Sequence, residues 1–157
     1  MSLDSQQIEL IGRNLLVAQL LADDLEVALP ERDRGIDLIV YADVTEQGRF
    51  VARPIQLKAA SRRAFLVDQK YGKFPDLLLA YVWNVAEPLN AQTFCLTQLD
   101  AVGVAHAMGW IATASWERGA YSTSRPSSRL VNLLAPFEMS PGMWRERLGL
   151  TAYPSGA

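Results

Sequence analysis

Three polar side chains sit where plain buried strands would not need them. Residues 34–41, RGIDLIVY, carry Asp37 at the head of an apolar run. Residues 53–61, RPIQLKAAS, carry Gln56 and Lys58 two positions apart. Side chains at i and i+2 of a strand leave the same face, and Leu57 between them faces the other way. A hairpin through residues 43–49 would pair the two strands and bring an acid, an amide and an ammonium to one end of a sheet. Two oxygen donors beside an ammonium suit a hard divalent cation, which one or two carboxylates typically hold while waters and substrate phosphate complete its shell. Such an ion activates water and stabilises charge at a scissile phosphate. The lysine positions that water or counters the developing charge. The same residues also read as a surface acid beside a turn, with Gln56 and Lys58 lining a solvated strand face.

The elements that would position these groups follow from apolar periodicity. Residues 5–24 read as a helix, with Ser5 as N-cap and Ile8, Ile11, Leu15, Ala18 and Ala22 on one stripe. LEVALP reads as a strand ended by Pro30, ERDRG as a charged turn, IDLIVYADV as a strand and TEQG as a hairpin loop. RFVARPIQLKAA returns as strand, with Pro54 predicting a bulge or an edge. SRRAFLVDQKYGKF is helix-like up to Gly72, PDLLLAYVWNV and AQTFCLT are strands, and QLDAVGVAHAMG is a helix capped by Thr97. WIATASWERGAYSTS reads as two short strands, RPSSRLVNLLAPFE as a helix from Ser127 or Ser128, and SPGMWRERLGL as a last short helix with Ser140 as N-cap and Pro141 at N1. The order predicts a mixed α/β sandwich around one central sheet. The 157 residues are expected to form one domain, with a core over about 5–109 and a C-terminal appendage over about 110–157.

Composition narrows the classes. Half the residues are hydrophobic and 20% are charged, which predicts a globular chain. The single Cys95, in the apolar run TFCLT, excludes an internal disulfide and a cysteine metal cluster and reads as a buried, inert thiol. The start MSLDSQQIEL lacks the basic and apolar regions of a secretory signal, and no run has the length of a membrane span, so a cytoplasmic location is expected. Although the net charge is −2, residues 49–73 hold seven bases (Arg49, Arg53, Lys58, Arg62, Arg63, Lys70 and Lys73) against one acid, Asp68. That segment reads either as an electrostatic footprint for phosphates or as a solvated loop and helix face.

The order helix, strand, GxD hairpin, (E/Q)xK strand, helix, strand resembles the PD-(D/E)xK nuclease superfamily. RGID stands at the PD position and IQLK at the (D/E)xK position, nineteen residues apart. The resemblance spans roughly residues 5–100 and is nearest to Holliday-junction-resolvase-like and small homing-endonuclease-like members. It implies a restriction-endonuclease-like core with a central mixed sheet flanked by helices, and a small C-terminal helical appendage. It also implies Asp37 as metal ligand, Gln56 at the second ligand position, Lys58 as catalytic lysine and Mg²⁺ or Mn²⁺ as cofactor. Gln56 ligates through its carbonyl and lacks the charge of the family's acid. The first-helix glutamate of many members falls at Arg13, in IGRN, while Glu9 one turn earlier projects from the same face or simply pairs with Arg13.

Other signals are weaker. His106 is the sole histidine, in an apolar helix, and reads as a core or dimer-contact residue, so no histidine-based hydrolase triad is available. YGKFPD lacks the spacing of a phosphate loop. Trp110, Trp116, Tyr121 and Trp144 follow the core and read as a base-stacking platform, an apolar lid or a homodimer surface. Three readings result: a metal-dependent nuclease hydrolysing DNA phosphodiester bonds; an inactive nuclease-fold protein binding nucleic acid or a protein partner; or a structural protein that dimerises through its C-terminal aromatic region.

Overall fold

A computed structural model of the chain describes residues 2–42 and 50–149. The expected hairpin over 43–49, Arg49 with it, and Leu150 of the last helix lie outside the described residues. Helix α1 (Ser5–Ala22) is followed by β1 (Glu26–Ala28), β2 (Leu38–Ala42), β3 (Val51–Ala59), β4 (Phe65–Asp68), a 3₁₀ turn (Gln69–Lys73), β5 (Leu78–Trp83) and β6 (Gln92–Thr97). Helices α2 (Gln98–Ala107) and α3 (Ala114–Glu117), strand β7 (Ala120–Thr123), and helices α4 (Ser128–Leu134) and α5 (Met143–Arg147) complete it. The result is a mixed α/β fold with a central five-stranded mixed sheet in the order β1-β2-β3-β5-β6, flanked by helices. The β3–β5 pair is parallel and the other pairs of this sheet are antiparallel.

Both faces of β5 are buried, and alternation sends its side chains to two cores. Leu78, Ala80 and Val82 join Leu16, Leu20 and Trp144 under α1. Leu79, Tyr81 and Trp83 join Phe65, Phe94 and Trp110 on the other face. The central-sheet residues of that second core come from β5 and β6, while β3 presents to the same face the polar Gln56, itself buried, and Lys58, which reaches Tyr71 of the covering layer.

Several expectations are corrected. The N-cap of α1 is Asp4, not Ser5: its carboxylate accepts from Gln7 N while the Gln7 side chain accepts from Asp4 N. The most buried stripe of α1 is Gly12, Leu16 and Leu20, turned from the expected one, because Gly12 lets the helix approach Ala59 closely. The helix expected over 61–72 is instead strand β4 and the 3₁₀ turn; Phe65 and Val67 alternate inward and the strand pairs with β7. Pro54 makes no bulge, since the β2–β3 register runs unbroken from Val51 to Ile55 and the β3–β5 ladder begins only at Ile55. Of the two strands expected over 110–124, one forms, and α3 replaces the other. The N-cap of α5 is Gly142 (φ 89°), and the buried Asp23 carboxylate caps that helix by accepting from Gly142 N at 2.7 Å and Trp144 N at 3.0 Å. Trp110 and Trp144 are buried within the chain, and Tyr121 stacks on Trp110 at 4.3 Å between ring centroids, so the aromatic residues expected as an outer surface serve largely as core. His106 is exposed at the last turn of α2, not in the core. Cys95 is fully buried, and burial pushes its thiol up to about 12, as befits an inert group. Among the described residues no helix is long and apolar enough to cross a membrane.

Candidate functional site

The site lies where β2 and β3 fork. Gly35 (φ 86°) turns the chain toward β2, and its N–H donates to Asp33 Oδ1 at 3.0 Å. The first residue of β2, Leu38, pairs with Ile55, so β3 runs on through residue 59 with no β2 partner. The N–H of Leu57 would be left open there. Asp37, immediately before β2, fills the gap: its Oδ2 accepts from Leu57 N at 2.6 Å and from Gln56 Nε2 at 2.6 Å. Its own N–H donates to Ile55 O at 2.9 Å.

Gln56 is 8% exposed, and its amide nitrogen is turned to Asp37 and, at 3.4 Å, to its neighbour's Leu57 O. Its carbonyl Oε1 is buried and finds no donor among the described residues. A buried acceptor left in that state costs about 1–3 kcal/mol. Lys58 is half-buried on the same strand face, and its ammonium donates to Tyr71 Oη at 2.9 Å. Tyr71 itself is 4% exposed, and the Lys70 ammonium lies 5.0 Å from its ring centroid.

Asp37, Gln56, Leu57, Lys58 and Ala59 border one hollow of about 410 Å³ with Ser5, Ile8 and Glu9 of α1 and Asp33 of the preceding turn. The expected convergence of Asp37, Gln56 and Lys58 is present, and Glu9 adjoins them. Burial raises the Asp37 pKa most, partly opposed by the Leu57 N–H bond; the charges of Asp33 and Glu9 raise it further and that of Lys58 lowers it. Glu9 is exposed and makes no ion pair with Arg13; the ion pair among the described residues is Lys70–Asp68 at 3.4 Å. The acids border the hollow without converging, since no three acid, histidine or cysteine side chains among the described residues are close enough to share an ion.

Sequence reasoning missed Asp33 and Tyr71. Asp33 carried a signal, an acid four residues before Asp37 in a D-R-G turn. Tyr71 carried none, because only the fold brings the 3₁₀ turn to β3. The basic residues divide into groups. Arg53 Nε donates to Asp76 O at 3.0 Å. Arg62 and Arg63 line a separate hollow with Arg125. Lys70 and Lys73 lie on the 3₁₀ turn, the Lys73 ammonium 5.1 Å from the Phe74 ring centroid.

The donors at the fork are of the type a hard divalent cation takes, spread along the hollow and not gathered at one point. They are all oxygens, the local charge is negative, and Gln56 Oε1 is a buried acceptor without a donor. No family model matches the chain, and no curated protein matches it. Among solved structures the chain is similar to a bacterial homing endonuclease, I-Ssp6803I, at 14% sequence identity and a TM-score of 0.47, with 93% of this chain and 92% of that chain covered. At that identity and score the likeness carries no inference about residues or chemistry.

Proposed function

We propose that the chain is a metal-dependent nuclease of the PD-(D/E)xK type that hydrolyses phosphodiester bonds of DNA at the β2–β3 fork. The observation that supports this reading is the meeting of Asp37, Gln56 and Lys58 around one hollow, with Gln56 Oε1 buried and lacking a donor among the described residues. Asp37 and the Gln56 carbonyl would hold Mg²⁺ or Mn²⁺, and Glu9 is the acid of α1 that borders them. The ion when bound supplies Lewis acidity toward a phosphodiester. Lys58, held by Tyr71 Oη, would present an ammonium to the negative charge that builds on the phosphoryl oxygens. The basic side chains Arg53, Arg62, Arg63, Lys70 and Lys73 would engage the DNA backbone, with Arg49 assigned to the same role from sequence alone.

A second reading has its own support. The two 2.6 Å bonds to Asp37 Oδ2 already give that acid a structural task, tying the end of β2 to β3. On that account the fold is a retired nuclease and binds no metal here. Calorimetric titration with Mn²⁺ separates the two. The nuclease reading expects saturable binding to wild type, loss of binding in Asp37→Ala and tighter binding in Gln56→Glu, where a charged ligand replaces a neutral one. Wild type without binding, or equal binding to wild type and Asp37→Ala, favours the structural account.

A further inference from the structure

We infer that Arg62, Arg63 and Arg125 form a phosphate subsite for a nucleic-acid backbone, outside the β2–β3 fork. This rests on the reading of the chain as a DNA-binding protein, and it adds Arg125 and a defined location to that reading. The three arginines line one surface hollow of about 400 Å³ with Asn84, Glu87, Ser124 and Pro126. They come from two segments far apart in sequence, the β3–β4 connection and the β7–α4 connection.

Their backbone is fixed. Asn84, in a left-handed conformation (φ 59°), donates its N–H to Arg62 O at 2.8 Å, and Ala86 N donates to Ser61 O at 3.3 Å. The Arg63 guanidinium lies 6.0 Å from the Trp83 ring centroid. Arg125 N donates to Thr123 Oγ1 at 3.2 Å, and Pro126 restricts the backbone of Arg125 before it.

Their charges are unspent. All three are exposed, and none pairs with a carboxylate or donates a guanidinium hydrogen bond among the described residues. The one acid lining the hollow, Glu87, accepts instead from Asn90 Nδ2 at 3.0 Å. Three like charges held together on a chain of net charge −2 repel one another until an anion arrives. Guanidinium forks match phosphate oxygens in geometry. Lys58 and Arg62 are four residues apart, so their Cα atoms are separated by at most roughly 14 Å. That distance is within the run of a few phosphates on one strand.

The test is binding of a fluorescently labelled DNA duplex in EDTA, measured across salt concentrations for wild type, Arg125→Gln, the Arg62→Gln/Arg63→Gln double variant and Arg145→Gln. Arg145 is a control of equal charge change, since it donates to Asp24 O beyond the C-terminal end of α1. Each arginine lost from the hollow should make the slope of log affinity against log salt shallower by about 1. Unrelated duplex sequences should lose affinity alike. Arg145→Gln should follow wild type. An Arg125→Gln variant indistinguishable from wild type or from Arg145→Gln overturns the subsite, as does a wild type without measurable affinity for duplex. A wild type that binds with these slopes yet never cleaves retires the hydrolytic reading and leaves the subsite standing.

Discussion

Asp37 accepts two hydrogen bonds on one oxygen, while burial and the charges of Asp33 and Glu9 raise its pKa. A carboxyl whose pKa rises on folding contributes stability that is fully present below its unfolded value, near 3.8, and lost as pH rises through the folded value. The ionised Asp37 therefore weighs against the fold at neutral pH. Asp37→Asn keeps an oxygen for Leu57 N–H, removes the charge and offers Gln56 Oε1 a donor. Thermal melts in EDTA should show this variant more stable than wild type at neutral pH, with the gain shrinking as the pH falls toward the ordinary carboxylate range. A variant less stable than wild type at neutral pH would mean that the ionised bonds outweigh burial and repulsion. Lys58 depends on Tyr71 in a comparable way. Tyr71→Phe keeps the buried ring and deletes the acceptor for the ammonium, so on the proposed activity it should slow metal-dependent cleavage roughly tenfold, the scale of one charged hydrogen bond. Lys58→Ala should slow it further, and both variants should still bind Mn²⁺. Unchanged turnover in Tyr71→Phe would remove Tyr71 as a positioning residue.

Helix α1 and strand β3 both border the hollow, and they approach closely at Gly12. A Cβ there would stand 2.5 Å from Ala59 Cβ and 3.6 Å from Val85 Cγ1. Ala59 has no flexible side chain to give way, so Gly12→Ala should push α1 from β3. The overpacking should exceed the gain of about 1 kcal/mol in helix propensity, leaving a net loss of about 1–2 kcal/mol in chemical denaturation. Measured stability equal to wild type would show that the contact relaxes freely. At this scale much was legible in the sequence. The i, i+2 placement of Gln56 and Lys58 and the apolar runs of β2, β3, β5 and β6 gave the site strands and their faces. The segment over 61–72 was not legible, because Phe65 and Val67 owe their strand conformation to β7, whose pairing residues lie more than fifty positions later. Tyr71 and Arg125 were hidden for the same reason: each joins its cluster through a contact between distant segments. The cap of α5 was hidden likewise, since Asp23 reaches it across 119 residues to Gly142.

Across the molecule, the central sheet divides two cores, and on the second face β5 and β6 supply apolar side chains where β3 supplies Gln56 and Lys58. The fork keeps a polar hollow beside these two cores, with the exposed Glu9 and Asp33 on its border and Lys58 anchored to Tyr71. The C-terminal third closes both cores through Trp110, Leu130 and Leu134 on one face and Trp144 on the other. Truncation before α5 should therefore expose Leu16 and Leu20 and lower the melting temperature, whereas an outlying appendage would be removable without effect. The claim at the centre is that the fork hydrolyses DNA with a divalent ion held by Asp37. The most direct measurement is the rate at which supercoiled plasmid is cut by wild type and by Asp37→Ala, in Mg²⁺ or Mn²⁺ and again in EDTA. Wild type should cut in either metal and stop in EDTA, and a folded Asp37→Ala variant should not cut. Cutting that persists undiminished in Asp37→Ala, or a wild type inert in both metals, would contradict that claim.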